Sequence, residues 1–132
     1  MSELNIDQFD WRVISGNEHA MFIIKKFPEN ADFKMLSSNP SAVDFMKKKE
    51  NMDKIDWGRM SLNNSPAAVK LLKSNMDKVN YRNLSHNVSA LTVLKSIKDE
   101  DVLDKLDWRF ISQSPDMISL AKLNTDRLVW SE

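Results

Sequence analysis

Phe33-Lys34-Met35-Leu36-Ser37-Ser38-Asn39-Pro40-Ser41-Ala42 decides the fold, because the chain writes it again on both sides. The aromatics Trp11, Phe33, Trp57, Tyr81, Trp108 and Trp130 follow one another at spacings of 22, 24, 24, 27 and 22 residues. Four residues after each of the first five stands Ser15, Ser37, Ser61, Ser85 or Ser112. Three after stands Ile14, Leu36, Met60, Leu84 or Ile111. One before stands Asp10, Asp32, Asp56, Asn80 or Asp107, preceded by Phe9, Ala31, Ile55, Val79 or Leu106. Farther on, a second apolar pattern recurs as Ala20-Met21-x-Ile23-Ile24, Ala42-Val43-x-Phe45-Met46, Ala68-Val69-x-Leu71-Leu72, Ala90-Leu91-x-Val93-Leu94 and Met117-Ile118-x-Leu120-Ala121. Each copy is followed by lysine: Lys25, Lys47, Lys73, Lys95 and Lys122. Two linkers nearly coincide, Asn51-Met52-Asp53-Lys54-Ile55 and Asn75-Met76-Asp77-Lys78-Val79. A fixed period of this length predicts a repeat architecture.

Each repeat reads as two helices. The Asp or Asn before the aromatic is an N-cap, able to accept a hydrogen bond from a backbone N–H that the helix leaves orphaned. The apolar residue before it has the place of a hydrophobic staple. The first helix stops at a polar corner, Ser38-Asn39-Pro40 or Asn64-Ser65-Pro66. Asn39 or Ser65 then caps the second helix, with proline at its first position, and Ser114-Pro115 repeats the device. In the second helix four positions fall on one arc of about 160°, a core face. The intervening position is Asp44, Lys70, Thr92 or Ser119, with Phe22 the exception in the first repeat. Helices this short do not stand alone, but stacked pairs bury a continuous core. The expected fold is therefore all-α. It is a small α-solenoid of five helix-pair repeats, at about 6–30, 31–51, 52–75, 76–100 and 101–123, in one domain spanning 1–132. A partial repeat at 124–132, with Leu128-Val129-Trp130, caps one end. Met1–Gln8 covers the other.

The pattern aromatic-x-x-Leu-Ser-x-Asn-Pro-x-Ala resembles short repeats in proteins of large DNA viruses and some phages, where the aromatic is often Trp. The closest copies begin at Phe33 and Trp57. Glu18 and Val88 stand where the pattern has proline. Two residues are inserted between Ser61 and Pro66, and three around Asp99–Asp101. The resemblance implies a helical-repeat fold and a viral origin. By analogy with viral proteins of this size, it also implies binding to a host protein.

Composition narrows function. The 132 residues carry 19 basic and 19 acidic side chains. A zero balance argues against a dedicated nucleic-acid binder, whose affinity rests on neutralising phosphates. No cysteine is present, which removes disulfides, thiolate ligands and cysteine nucleophiles. The longest apolar stretch, Ala20–Ile24, is too short for a membrane span, and no signal peptide is visible, so the expected address is the cytoplasm. Neither a cofactor nor a metal is expected. Glu18-His19 lacks a second ligand pair, and the Asp99–Asp104 corner lacks the glycine of a calcium loop. Ser85-His86 invites a triad, but its serine belongs to a column of five, which argues for structure.

The remaining candidates form a surface. Just after the aromatics stand Arg12, Lys34, Gly58, Arg82 and Arg109, with Arg59 beside Gly58. A cation in a first helical turn opposes the helix dipole by about 0.3–1 kcal/mol. One reading pairs these cations with acids of an adjacent repeat, such as Glu29, Asp53, Asp77 or Asp104. The other makes Arg12, Lys34, Arg59, Arg82 and Arg109 a strip that meets an acidic partner, with Phe110 as an exposed anchor beside Arg109. The terminal lysines read as dipole complements. The expected activity is non-enzymatic binding of another protein with an acidic patch, in viral form the inhibition of a host or defence protein. The alternatives are a self-assembling structural protein and a nucleic-acid backbone binder. The oligomeric state stays open.

Overall fold

The computed structural model describes residues 5–129, and among them every regular element is helical. The α-helices are α1 (Trp11–Gly16), α2 (Met21–Lys26), α3 (Phe33–Ser37), α4 (Val43–Met46), α5 (Trp57–Met60), α6 (Pro66–Lys73), α7 (Tyr81–Leu84), α8 (Leu91–Lys95), α9 (Glu100–Leu103), α10 (Trp108–Gln113) and α11 (Ile118–Leu123). Single 3₁₀ turns lead into many of them. Trp130 and Met1–Leu4, to which end-capping was assigned, lie outside the described residues.

The caps are local, and the sequence rule for them holds. Asp10, Asp32, Asp56, Asn80 and Asp107 each accept the N–H three residues on, at 3.0–3.2 Å. Asn39 and Ser65 also cap as read, accepting from Ser41 and Ala68. Ser114 does not; its side chain makes no cap bond. The second helices differ from expectation in their starts. Pro40–Ala42 and Pro115–Met117 wind as 3₁₀ turns before the α-helix begins, and only α6 is α-helical from its proline.

First helices stack on first helices and second on second: α1 lies on α3, α3 on α5, α4 on α6, α8 on α11. Two polar columns join successive segments. In the first, a serine hydroxyl accepts the N–H of the residue before the next aromatic. Asp32 donates to Ser15, Asp56 to Ser37, Asn80 to Ser61, Asp107 to Ser85 and Val129 to Ser112, all at 2.8–3.0 Å. The same hydroxyls of Ser37, Ser61, Ser85 and Ser112 donate to the carbonyl of their own aromatic. Val129 thus stands in the cap place of a further segment.

In the second column, buried asparagines donate both amide hydrogens backwards. Asn39 Nδ2 reaches the carbonyls of Ser15 and Asn17, at 2.9 and 3.2 Å. Asn63 reaches those of Ser37 and Asn39, both at 3.2 Å. Asn87 reaches those of Ser61 and Asn63, at 3.1 and 2.9 Å. Asn63, not Ser65, is therefore the counterpart of Asn39, and the two inserted residues are Asn64-Ser65. With them the cap, Ser65, becomes a residue distinct from the ladder residue Asn63, and α6 is the longest helix among the described residues, of 8 residues.

The aromatics pin the linkers. Trp11 Nε1 donates to the Ile6 carbonyl at 3.1 Å, Tyr81 Oη to Met76 at 2.8 Å and Trp108 Nε1 to Leu103 at 2.7 Å, each five residues back. Burial, then the charges of Asp77 and Asp99, raises the Tyr81 pKa, which keeps the phenol a donor. Between the layers lie Ile24, Leu36, Met46, Met60, Leu72, Leu84, Leu94, Ile111, Met117 and Leu120, all essentially out of water. Met21, Met46, Met60 and Met117, all on the recurring apolar positions, are buried in this space. Ile118 does not join them and is 57% exposed. Its counterparts Met21 and Val43 are buried in the core, and no α-helix of the described residues follows α11. The Asp99–Asp101 corner is not a plain acidic loop. Asp99 accepts the Asp101 N–H and starts α9.

Candidate functional site

The column behind the aromatics is on the surface. Arg12, Lys34, Arg82 and Arg109 are exposed and Arg59 is half-buried. The dipole objection to these cations weakens, because the first helices are only 4–6 residues long. Lys34, Arg59 and Arg82 stand in a last turn as much as in a first. Among the described residues only Arg82 of this set forms an ion pair, its Nη2 3.5 Å from Asp107 Oδ2. That acid is the next N-cap, not one of the linker acids named from the sequence. Asp104 instead binds Arg127, which also holds Glu100. Hydrogen bonds to Asp104 first, and to Glu100, raise the Arg127 pKa against the opposing effect of burial.

Gly58 interrupts the column of cations. The Asn83 Nδ2 donates to the Gly58 carbonyl at 3.0 Å, and a Cβ on Gly58 would stand 3.3 Å from Asp56 Oδ1. Capping carboxylates, Asp10, Asp32, Asp56 and Asp107, stand beside the cations in four of the five segments, the fourth being capped by the neutral Asn80. The strip is therefore mixed in sign.

Phe110 is not the exposed anchor that its position implied. It is half-buried against the core, with its ring centroid 4.0 Å from that of His86. His86 Nε2 lies 2.9 Å from Asp107 Oδ2, while Asp107 Oδ1 accepts the Phe110 N–H at 3.1 Å. Burial alone pushes the Asp107 carboxyl upward. The Phe110 N–H, the His86 hydrogen bond and the Arg82 charge together hold it below the ordinary carboxylate value. A folded pKa below the unfolded one contributes stability above the unfolded pKa, and that contribution is lost as pH falls through the folded pKa. Wild type should thus lose more stability than Asp107→Asn when acidified from neutral pH to below the unfolded carboxylate range. Denaturant midpoints at a series of pH values measure this, and parallel curves would remove the assignment.

The Ser85-His86 pair carries no triad geometry. Ser85 is fully buried, its hydroxyl donates to the Tyr81 carbonyl, and it accepts from Asp107. Among the described residues no three His, Asp or Glu side chains are grouped to hold a metal, and no helix is long and apolar enough to cross a membrane. Phe22 sits 72% exposed on α2.

The sequence reading missed the end of the second helices as a surface. Lys25, Lys47, Lys73, Lys95 and Lys122 are all exposed there, and shallow clefts open between successive helix ends. The lysine column was visible, but the spaces between its members exist only once the helices stack. No family model, curated protein or solved structure matches the chain.

Proposed function

We propose that the chain is a small α-solenoid of five helix-pair repeats closed by a partial sixth, and that it is a non-enzymatic module that binds another protein. The observation that carries this reading is the use of its recurring polar side chains. The serine hydroxyls and asparagine amides, the groups from which chemistry could be built, are buried in bonds between successive segments. What varies from segment to segment is exposed, and a stacked array presents such positions side by side as one extended surface. The viral resemblance gives the reading its specific form, inhibition of a host or defence protein in the host cytoplasm.

A pull-down with the tagged protein tests it, beside a variant with Arg12, Lys34 and Arg109 changed to Gln. These three make no ion pair with a described residue, so the substitutions leave the junctions intact. A stoichiometric protein held by wild type supports binding, and its loss in the variant locates it on the first-helix strip. An empty pull-down from a folded protein counts against the reading.

End-to-end self-association is a second reading. Ile118, Leu123 and Val129, exposed by 57, 59 and 37%, gather on the last segment. Sedimentation that stays monomeric across concentration would dismiss it.

A further inference from the structure

We infer that the docking face is the row of second-helix ends, and that its occupant is a protein segment carrying both acidic and apolar side chains. The inference rests on the binding reading above and assigns it a face and a partner chemistry.

The zero net charge conceals a separation. Residues 21–26, 43–50, 66–73, 91–98 and 118–123 hold ten of the 14 lysines and only two of the 19 acids, Asp44 and Glu50. The rest of the chain is correspondingly acidic, with Asp7, Glu29, Asp53, Asp77, Asp104 and Asp126 exposed along the linkers. Among the described residues the only ion pair that reaches these lysines is Lys47 to Asp44, 3.2 Å and exposed. Exposed pairs of that kind contribute little. The first-helix strip, by contrast, has capping carboxylates beside its cations in four of the five segments. The positive potential of this molecule therefore lies on the second helices, and it steers acidic partners there.

Shape adds the second half. Between α4 and α6 lies a cleft lined by Lys47 and Lys70 with Ala67, the half-buried Leu71 and Ser74, and no acid lines it. Between α2 and α4 a second cleft is lined by Lys25, Lys48 and Lys54 with Phe45 and Pro28, and here two acids, Glu29 and Glu50, line it as well. The Lys48 and Lys54 ammonium groups stand 5.5 and 5.1 Å from the centroids of Phe45 and Phe33, so their stems lie along the aromatic faces. Beside α8 and α11 a third cleft has Lys95 and Lys98 above Leu103 and Leu123. Its one acid, Glu100, is held by Arg127. A cationic rim over an apolar floor matches a carboxylate beside an aliphatic or aromatic side chain. A nucleic-acid backbone satisfies the rim and leaves the floor empty. The face also carries no arginine, the residue suited to bidentate phosphate contacts.

The test uses the full chain and fluorescence anisotropy of three labelled probes at low salt: a random glutamate–tyrosine copolymer, polyglutamate and a short duplex DNA. The copolymer should bind most tightly. Lys47→Glu, Lys70→Glu and Lys73→Glu together should weaken it by about tenfold or more, the scale of a few reversed contacts. Arg12→Glu, Lys34→Glu and Arg109→Glu together should weaken it by less than about twofold. All six side chains are exposed, and circular dichroism checks that both variants fold. Loss confined to the second triple overturns the face while leaving the binding reading in place. Polyglutamate equal to the copolymer, or DNA tighter than either, overturns the partner chemistry. No binding of the copolymer by wild type overturns the inference whole, and only an empty pull-down as well would remove the binding reading beneath it.

Discussion

Replacing Asn63 with alanine is expected to destabilise the fold by about 2–4 kcal/mol, from the general cost of orphaning buried polar groups. Asn63 is 2% exposed and its amide serves two carbonyls of the preceding segment, Ser37 and Asn39. Its Oδ1 also accepts the Ser65 N–H at 3.2 Å. Alanine removes the donor and leaves acceptors that water reaches poorly, so the loss exceeds the worth of an average hydrogen bond. The neighbouring Asn64→Ala is the control, since Asn64 is exposed and outside the ladder. Urea unfolding of both variants measures the difference. Equal midpoints would mean that the ladder contributes nothing to the joints between segments.

Leu84→Ala should cost more, about 3–5 kcal/mol by the usual cost of deleting a large buried aliphatic. Leu84 is fully buried in α7, beneath the fourth aromatic. Helices of 4–6 residues have few contacts with which to close the cavity. Leu62→Ala, at a side chain 47% exposed, should cost below about 1 kcal/mol. A Leu84→Ala midpoint close to that of Leu62→Ala would contradict the buried layer described here.

The parts of the fold that obey local rules were legible in the sequence. A capping aspartate needs only its own next three residues, so Asp10, Asp32, Asp56, Asn80 and Asp107 could all be assigned. Joints between segments were legible only as columns. The serines could be aligned, yet nothing in one segment says that the following N–H will land on the hydroxyl. The asparagines Asn17, Asn39, Asn63 and Asn87 stand six residues after their aromatics. Aligning on proline hid this, because it matched Ser65 to Asn39 across the Asn64-Ser65 insertion. Ile118 was misplaced for a related reason. Its pattern specifies a core face, but coverage comes from a neighbour that the pattern does not contain. Phe110 was read as a free anchor, and Arg82 either as part of a free strip or as the partner of a linker acid, whereas the Asp107 that Arg82 meets is also held by His86, 21 residues away. The second-helix clefts lie between segments in the same way, so a column of lysines alone could not reveal their apolar floors.

The ladder has a grammar of succession. The second, third and fourth segments each present an amide and an N–H backward to carbonyls and a hydroxyl, so these three joints use the same vocabulary, while the fifth, with Ser114 in the asparagine's place, keeps only the bond to the hydroxyl. Excising residues 57–80 would set Asp56 directly before Tyr81, and Asn87 would then face the carbonyls of Ser37 and Asn39 in the manner of Asn63. Duplicating the same stretch would extend the stack without a new kind of contact. Length in such a molecule is a heritable variable that copying errors of one period can tune, while the reach of its surface grows or shrinks in step.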